Sequence, residues 1–271
     1  MSLLVENETP SVGYKKTALN TVNRYRGRGQ YDYEQIHPIV DEAPILHVAF
    51  QSSPDQGNFD FPVILPMLGC TGNFQEQDTA GTRSIYLHGY VSSRIMRLSR
   101  NNSSSDDSGS SGIPVCVSAT LMDGIVLALT PNHHSCNYRS VVAFGHAHVV
   151  EEESERLWAM ELITNNLVPE RWQNTRFPNK VELKATGILR VDIHSASAKV
   201  RTGTTGEARE DLKDEAMRKK VWAGVIPTNY VYGTPIPAPT NMHKGLPEYI
   251  EDWVEDWNEK TQRYAAEAAG V

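Results

Sequence analysis

The sequence predicts a mainly β fold with helices added, an α+β chain built on a closed or nearly closed β-barrel. Three observations carry this reading. Apolar runs near 45–50, 61–67, 84–88, 115–121, 124–130, 138–150 and 184–194 are short and mostly bounded by Gly, Pro, Asn, Asp or Ser, the pattern of strands. Helical periodicity is confined to a few stretches, of which 151–166 and 248–269 are the longest. No strand leads into GxGxxG, and GxxxxGK[ST] is absent, so neither a dinucleotide-binding parallel sheet nor a P-loop is expected. Closing a sheet of many short strands removes its sticky edges.

Residues 1–30 show little apolar periodicity. They carry Lys15, Lys16, Arg24, Arg26 and Arg28 with no acid between them, which reads as a solvated arm or an anion contact. A short helix follows from Asp32 or Tyr33 to Glu42; Pro38 either kinks it or delays its start. ILHVAF (45–50) and FPVILPM (61–67) read as two strands of a hairpin with an enlarged loop, QSSPDQGNFD. Ser84 to His88 is a third strand, broken by Gly89, and SSRIMRL then has helical character.

The polar, Ser-rich stretch 99–112 cannot bury enough surface to order itself and reads as a flexible loop inside one domain. The strands 115–121 and 124–130 flank Asp123-Gly124, a hairpin signal because Gly accepts the positive φ of a tight turn. Glu151 to Asn166 is amphipathic, and Lys184 to His194 is a further strand. Residues 203–220 are charged loop or surface helix, VWAGVIP (221–227) is a short apolar segment, and a Pro-rich tail leads to the last helix. That helix places Ile250, Trp253, Val254 and Trp257 on one stripe.

Composition narrows the classes of function. The 271 residues are enough for a full core, and 39% hydrophobic with 22% charged residues is ordinary for a globular protein. The formal net charge of -7 argues against nucleic acid as a partner. No apolar run approaches the roughly 18 residues of a membrane span. The opening MSLLVENETPSVGYKK lacks the basic start and apolar core of a secretory signal. The three cysteines, Cys70, Cys116 and Cys136, form no CxxC pair and read as reduced thiols. The expected location is therefore the cytoplasm.

Three segments are candidates for chemistry. In IYLHGYVSSRIMRLSR, Ser92, Ser93 and Arg94 stand where a strand gives way to a helix, and free N–H groups with the helix dipole favour an anion there. An Arg beside two hydroxyls strengthens a phosphate reading, against the plain one of a cap and a solvated charge. In HHSCNYRSV, alternation along a strand puts Tyr138 and Ser140 on one face and Arg139 and Val141 on the other, so one face buries while the other meets a ligand. In SASAKVRTG, Lys199 and Arg201 follow a strand and precede Gly203, placed to neutralise a phosphate or an acidic substrate. No metal site is expected. His133, His134 and Cys136 cluster, and His146 and His148 share a face, but HExxH and CxxC are absent. The lack of GxSxG argues against a Ser-His-Asp hydrolase.

LHGYVSSRIMRL, VCVSATLMDGIVLAL, HHSCNYRSVVAFGHAHVV and SASAKVRTG, in this order, resemble the pyridoxamine 5′-phosphate oxidase-like flavin proteins, in the branch that includes nitroimidazole-resistance proteins. NRYRGRGQYDYEQIHPIVDEAPILHVAF with PVILPM, Arg171-Trp172 and VWAGVIP are similar to the same branch. The resemblance covers 24–227 and implies an FMN-binding split β-barrel with peripheral helices there; the arm at 1–23 and the Pro-rich tail with a C-terminal helix at 228–271 lie outside it. It implies a homodimer with FMN in a cleft between subunits, acting as an oxidoreductase on a small-molecule substrate. The alternative is a non-enzymatic flavin- or haem-binding protein on the same barrel.

The phosphate would be held by Ser92, Ser93 and Arg94, and the flavin ring would lie near Pro66, Met67 and His88. Asn137, Tyr138, Arg139 and Ser140 would approach from the following strands. Lys199, Arg201 and Trp222 would border cofactor or substrate. His88, Tyr138 and Arg139 are the candidates for a catalytic role. The basic pair that the true oxidases carry on the second strand is missing from FPVILPM, and their C-terminal Arg/His motif has no counterpart, so oxidation of pyridoxamine phosphate itself is not implied.

Overall fold

The computed structural model describes residues 12–51, 61–75, 81–101 and 112–270. The first eleven residues of the arm, most of the enlarged loop after the first strand, and residues 102–111 of the Ser-rich stretch lie outside the described residues. Eight strands are described: β1 Gly29–Gln30, β2 Leu46–Phe50, β3 Val63–Gly72, β4 Ser84–Tyr90, β5 Ile113–Leu127, β6 Ser135–Val149, β7 Thr186–Arg201 and β8 Gly224–Pro227. Seven helices accompany them: α1 Tyr33–Glu42, α2 Arg94–Asn101, α3 Glu153–Leu167, α4 Lys180–Ala185, α5 Arg209–Lys213, α6 Glu215–Lys220 and α7 Glu248–Ala269.

The sheet order is β1-β7-β4-β3-β2-β5-β6, and a β6–β7 pairing closes it; β8 attaches to β5. The fold is the expected split β-barrel with peripheral helices. The hairpin of β2 and β3 is present, in the register Leu46↔Met67 to Phe50↔Val63.

The chain forms two compact units. The first comprises residues 1–119, 141–163 and 177–198, and the second 120–140, 164–176 and 199–271. In the first unit, alternate residues of the strands face one core: Leu46, Val48 and Phe50 from β2, Ile85 and Leu87 from β4, Val115 and Val117 from β5, Leu189 and Val191 from β7. Each such side chain contributes about 1.5–3 kcal/mol by leaving water. A second cluster forms under α3, where Ala159, Ile163 and Trp158 pack on Cys70, Tyr86 and Ile188. In the second unit, α7 lays Trp253 and Trp257 against Tyr232, with ring centroids 4.7 and 5.8 Å away.

Four expectations are corrected. Asp123-Gly124 makes no hairpin, because β5 runs through it unbroken. Burial there shifts from odd positions (113 to 123) to even ones (124 to 128), a change of parity that a Gly within a strand absorbs. The connection to β6 is instead the 3-10 turn Pro131–His133. Gly89 does not break β4, which continues to Tyr90 with Gly89 opposite Gly187 of β7. Lys184 belongs to α4, which is opened by a capping box between Asn179 and Glu182. Lys199 and Arg201 do not follow the strand but belong to it; β7 carries SASAKVR through to Arg201. Pro38 sits inside α1 at an exposed position, one turn after Glu34, which is exposed too.

Candidate functional site

In the first unit, the turn after β4 is set by a packing device. A Cβ built on Gly89 would lie 3.1 Å from Cε of Met96 and 3.3 Å from Cε of Met67, and one on Gly187 would lie 2.8 Å from Cε of Met96. The two bare glycines, opposite each other in register, make the slot that takes Met96 and so fix α2 at the end of β4. The Tyr90 carbonyl accepts the Ser93 N–H at 2.9 Å, and the Ser93 carbonyl accepts the Arg97 N–H at 3.1 Å, which makes Ser93 the residue that opens the helix. Its hydroxyl would ordinarily accept an N–H of the first turn. Here Ser93 Oγ is buried and has no hydrogen-bond partner among the described residues, while Ser92 and Arg94 are exposed beside it.

Nearby, β3 and β4 pair Leu68 with His88, and β2 and β3 pair His47 with Pro66. Pro66 is exposed and Met67 is buried. His88 projects to solvent, yet the wall around it desolvates the ring enough to lower its pKa, so it is neutral at neutral pH.

The predicted residues of the second unit divide by what already holds them. Asn137 is fully buried; its Nδ2 donates to the Gly203 carbonyl at 3.0 Å and to the Ala268 carbonyl at 2.9 Å. Arg201 donates through Nη1 to Asn137 Oδ1 and through Nη2 to the Thr204 carbonyl at 3.0 Å. These two side chains lock the end of α7 and the turn after β7. Arg139 grips Asp123 at 2.9 Å and lies over the ring of Tyr264, 3.8 Å from its centroid. Ser140 Oγ donates to the Lys199 carbonyl at 3.2 Å. Tyr138 and Lys199 are half-buried, and Trp222 is 65% exposed, folding back over Gly224.

Residues 32–200, more than half of the chain, match the family described as pyridoxamine 5′-phosphate oxidase. The chain belongs to the pyridoxamine 5′-phosphate oxidase family. A search of curated proteins finds no match. Among solved structures, the flavocytochrome Anf3 from Azotobacter vinelandii is 27% identical with a TM-score of 0.69, over 88% of this chain and 97% of that one. An FAD and heme binding protein from Mycobacterium smegmatis is 26% identical with a TM-score of 0.66, over 84% of this chain and 97% of that one. A protein assigned to 5-nitroimidazole antibiotic resistance from Bacteroides thetaiotaomicron superposes more loosely, at 19% identity and a TM-score of 0.43 over 62% of this chain and 84% of that one.

This pyridoxamine 5′-phosphate oxidase-family chain also holds a feature that the sequence reading missed. A cleft of about 350 Å³ in the first unit is lined by residues that include Arg83, Tyr86, Glu155, Arg190 and Asp192. Tyr86 donates to Glu155 at 2.8 Å, Arg190 bridges Glu155 at 3.0 Å and Asp192 at 2.9 Å, and His148 lies 3.3 Å from Asp192. Burial and the bond to Glu155 raise the Tyr86 pKa, and burial lowers that of His148 against the pull of Asp192. The readable signal was charge at alternate positions of one strand, Arg190 and Asp192; the strand that lies beside them could not be read from the chain.

Proposed function

We propose that the chain is a flavin-dependent oxidoreductase acting on a small molecule, with the cofactor, FMN or FAD, held by a phosphate at the start of α2. The observation that carries the reading is the buried, unpartnered Ser93 hydroxyl at a helix N-terminus beside Arg94. A hydroxyl left without a partner loses about 1–3 kcal/mol relative to a satisfied one, and a phosphate oxygen would satisfy it. The first-turn N–H groups and the Arg94 guanidinium add donors and positive charge at the same spot.

When bound, the flavin supplies the hydride or electron chemistry. The protein's part is to orient it and control access: Pro66 offers apolar surface for the ring, Met67, turned to the core side of β3, does not reach it and only backs the wall, and neutral His88 offers a donor or acceptor beside it. In the second unit, Tyr138, Lys199 and Trp222 keep surface open for cofactor or substrate. Asn137 and Arg201 act by holding the backbone, and Arg139 by its pairing with Asp123. A homodimer is part of the proposal, as is a place in the cytoplasm.

A second reading adds haem to flavin. It is supported by the 27% and 26% identity, over most of this chain, to a flavocytochrome and to a protein that binds FAD and heme. An absorption spectrum of the purified protein separates the two readings: flavin bands alone favour the first, and a Soret band beside them favours the second. Acid extraction then tells FMN from FAD, and anaerobic mixing with NADH or NADPH tests for reduction. A protein that retains no flavin, and binds neither FMN nor FAD on titration, overturns both.

A further inference from the structure

Among the described residues, one group of three His, Cys, Asp or Glu side chains brings its ligand atoms within 4.8 Å of one another: His133, Glu207 and Asp211. All three lie in the second unit. His133 ends the 3-10 turn between β5 and β6, Glu207 precedes α5, and Asp211 belongs to it. The Glu207 side chain is only 6% exposed. Its Oε1 accepts the Leu129 N–H at 3.0 Å. Its Oε2 is buried with no hydrogen-bond partner among the described residues and lies 3.9 Å from His133 Nδ1.

A carboxylate oxygen stripped of water and given nothing in return is strongly unfavourable. An imidazolium at His133 would answer only part of the charge, because Asp211 brings a second carboxylate to the same place. A doubly charged cation answers both. We propose that His133, Glu207 and Asp211 hold a divalent transition-metal ion. One imidazole nitrogen with two carboxylates suits Zn²⁺, Mn²⁺, Fe²⁺ or Co²⁺ better than Mg²⁺ or Ca²⁺, which take oxygen donors. Three protein ligands leave a position open to water or a small molecule.

One further bond prepares the site. The Leu129 N–H orients the Glu207 carboxylate, while Thr130 Oγ1, 3.2 Å from His133 Nδ1, makes a contact that an ion taken at that nitrogen would replace. An ion about 2.0–2.2 Å from each ligand atom needs those atoms about 3–3.5 Å apart, so a short side-chain adjustment closes the group. The ion would then tie the β5–β6 connection to the segment that follows β7. The expectation of no metal weighed His133 with its neighbours His134 and Cys136; the two acids that complete the set come from a remote part of the chain.

The test uses the full chain, stripped with EDTA and dialysed, then titrated separately with Zn²⁺, Mn²⁺ and Co²⁺ by calorimetry, with bound metal counted by mass spectrometry. One ion per chain should bind and raise the thermal midpoint. Asp211→Asn should weaken binding at least about tenfold and abolish the rise. Glu207→Gln should leave the metal-free protein as stable as the parent or more so, because a bare buried charge is gone, while it loses the gain from metal. Cys136→Ser should bind as the parent does. Failure of all three ions to bind, or unchanged binding in Asp211→Asn, overturns the proposal. If Glu207→Gln fails to fold, Asp211→Asn, on a short and partly exposed helix, decides.

Discussion

At the scale of single residues, the phosphate reading separates binding from stability at one atom. Among the described residues Ser93 Oγ has no hydrogen-bond partner, so Ser93→Ala removes no bond that they show. The variant should melt at the parent temperature or slightly above it, and yet bind flavin more weakly. Arg94→Ala, at an exposed position, should weaken flavin binding by about 1.5–3 kcal/mol, the scale of a charged hydrogen bond, with the fold unchanged. Fluorescence titration with FMN and FAD reads both effects, and parent-like affinity in both variants removes the start of α2 from the site. Asn137 should behave in the opposite way. It is buried and satisfies two carbonyls and Arg201, so Asn137→Ala strands several polar groups. A loss of about 2–4 kcal/mol in denaturant stability is expected, whatever becomes of the flavin. Types and order of residues made Ser92, Ser93 and Arg94 readable as an anion site. They could not tell that Asn137 and Arg201, equally polar, are turned onto the chain's own backbone, because Gly203 and Ala268 reach them only through folding.

At the scale of elements, what the chain encodes locally was legible and what its neighbours impose was not. α7 runs over Glu248–Ala269 as its apolar stripe required, and α1 over Tyr33–Glu42. β5 overrode a strong turn signal, because Asp123 has a strand partner in Arg139 and Gly124 pairs with Pro227 of β8. α4 carries a local start signal in its Asn-x-x-Glu pattern, Asn179 to Glu182. α1 also carries a pH response. Burial, aided by Arg83, lowers the His37 pKa to about 4, so its unfolded form takes up a proton first as the pH falls below about 6.5. Acid therefore removes stability through His37. Asp41, on the same helix, has its pKa raised to about 6 by burial, against its bonds to Thr71. The folded form then holds the proton more tightly, and stability from Asp41 is present at low pH and lost as the pH rises through about 6. The two responses oppose each other across pH 4–6. His37→Gln, which keeps a partner for the Tyr14 hydroxyl, removes one of them. Between pH 7 and 4 the variant should gain up to about 3 kcal/mol relative to the parent, at 1.36 kcal/mol per pKa unit. Urea titrations at both pH values check this; equal slopes for the two proteins would show that His37 does not titrate as its burial implies.

At the scale of the whole molecule, the barrel was legible because strand after strand had an apolar face, whereas the pairing that closes it, β6 on β7, rests on residues far apart in the chain. The same register exposes a consequence. Residues directly opposite each other on paired strands share a face. His47 with Pro66, Ala49 with Ile64 and Leu68 with His88 therefore lie on one side of β2, β3 and β4. Toward Leu68 this face is packed by the α3 cluster. At the other end Ile64 is 59% exposed, and Phe61, just ahead of the strand, is 78% exposed. Apolar surface that lies open beside a proposed flavin wall of Pro66 and His88 fits a subunit interface better than a surface meant for water. The chain mass of 30.2 kDa should thus sediment as a species of twice that value, and flavin content should follow the association. Ile64→Glu changes a side chain that is largely exposed in the monomer, so circular dichroism should be unaltered while the variant sediments as a monomer and loses flavin. A parent protein that is monomeric and fully flavin-loaded would remove the second copy from the site and leave one chain to enclose the cofactor by itself.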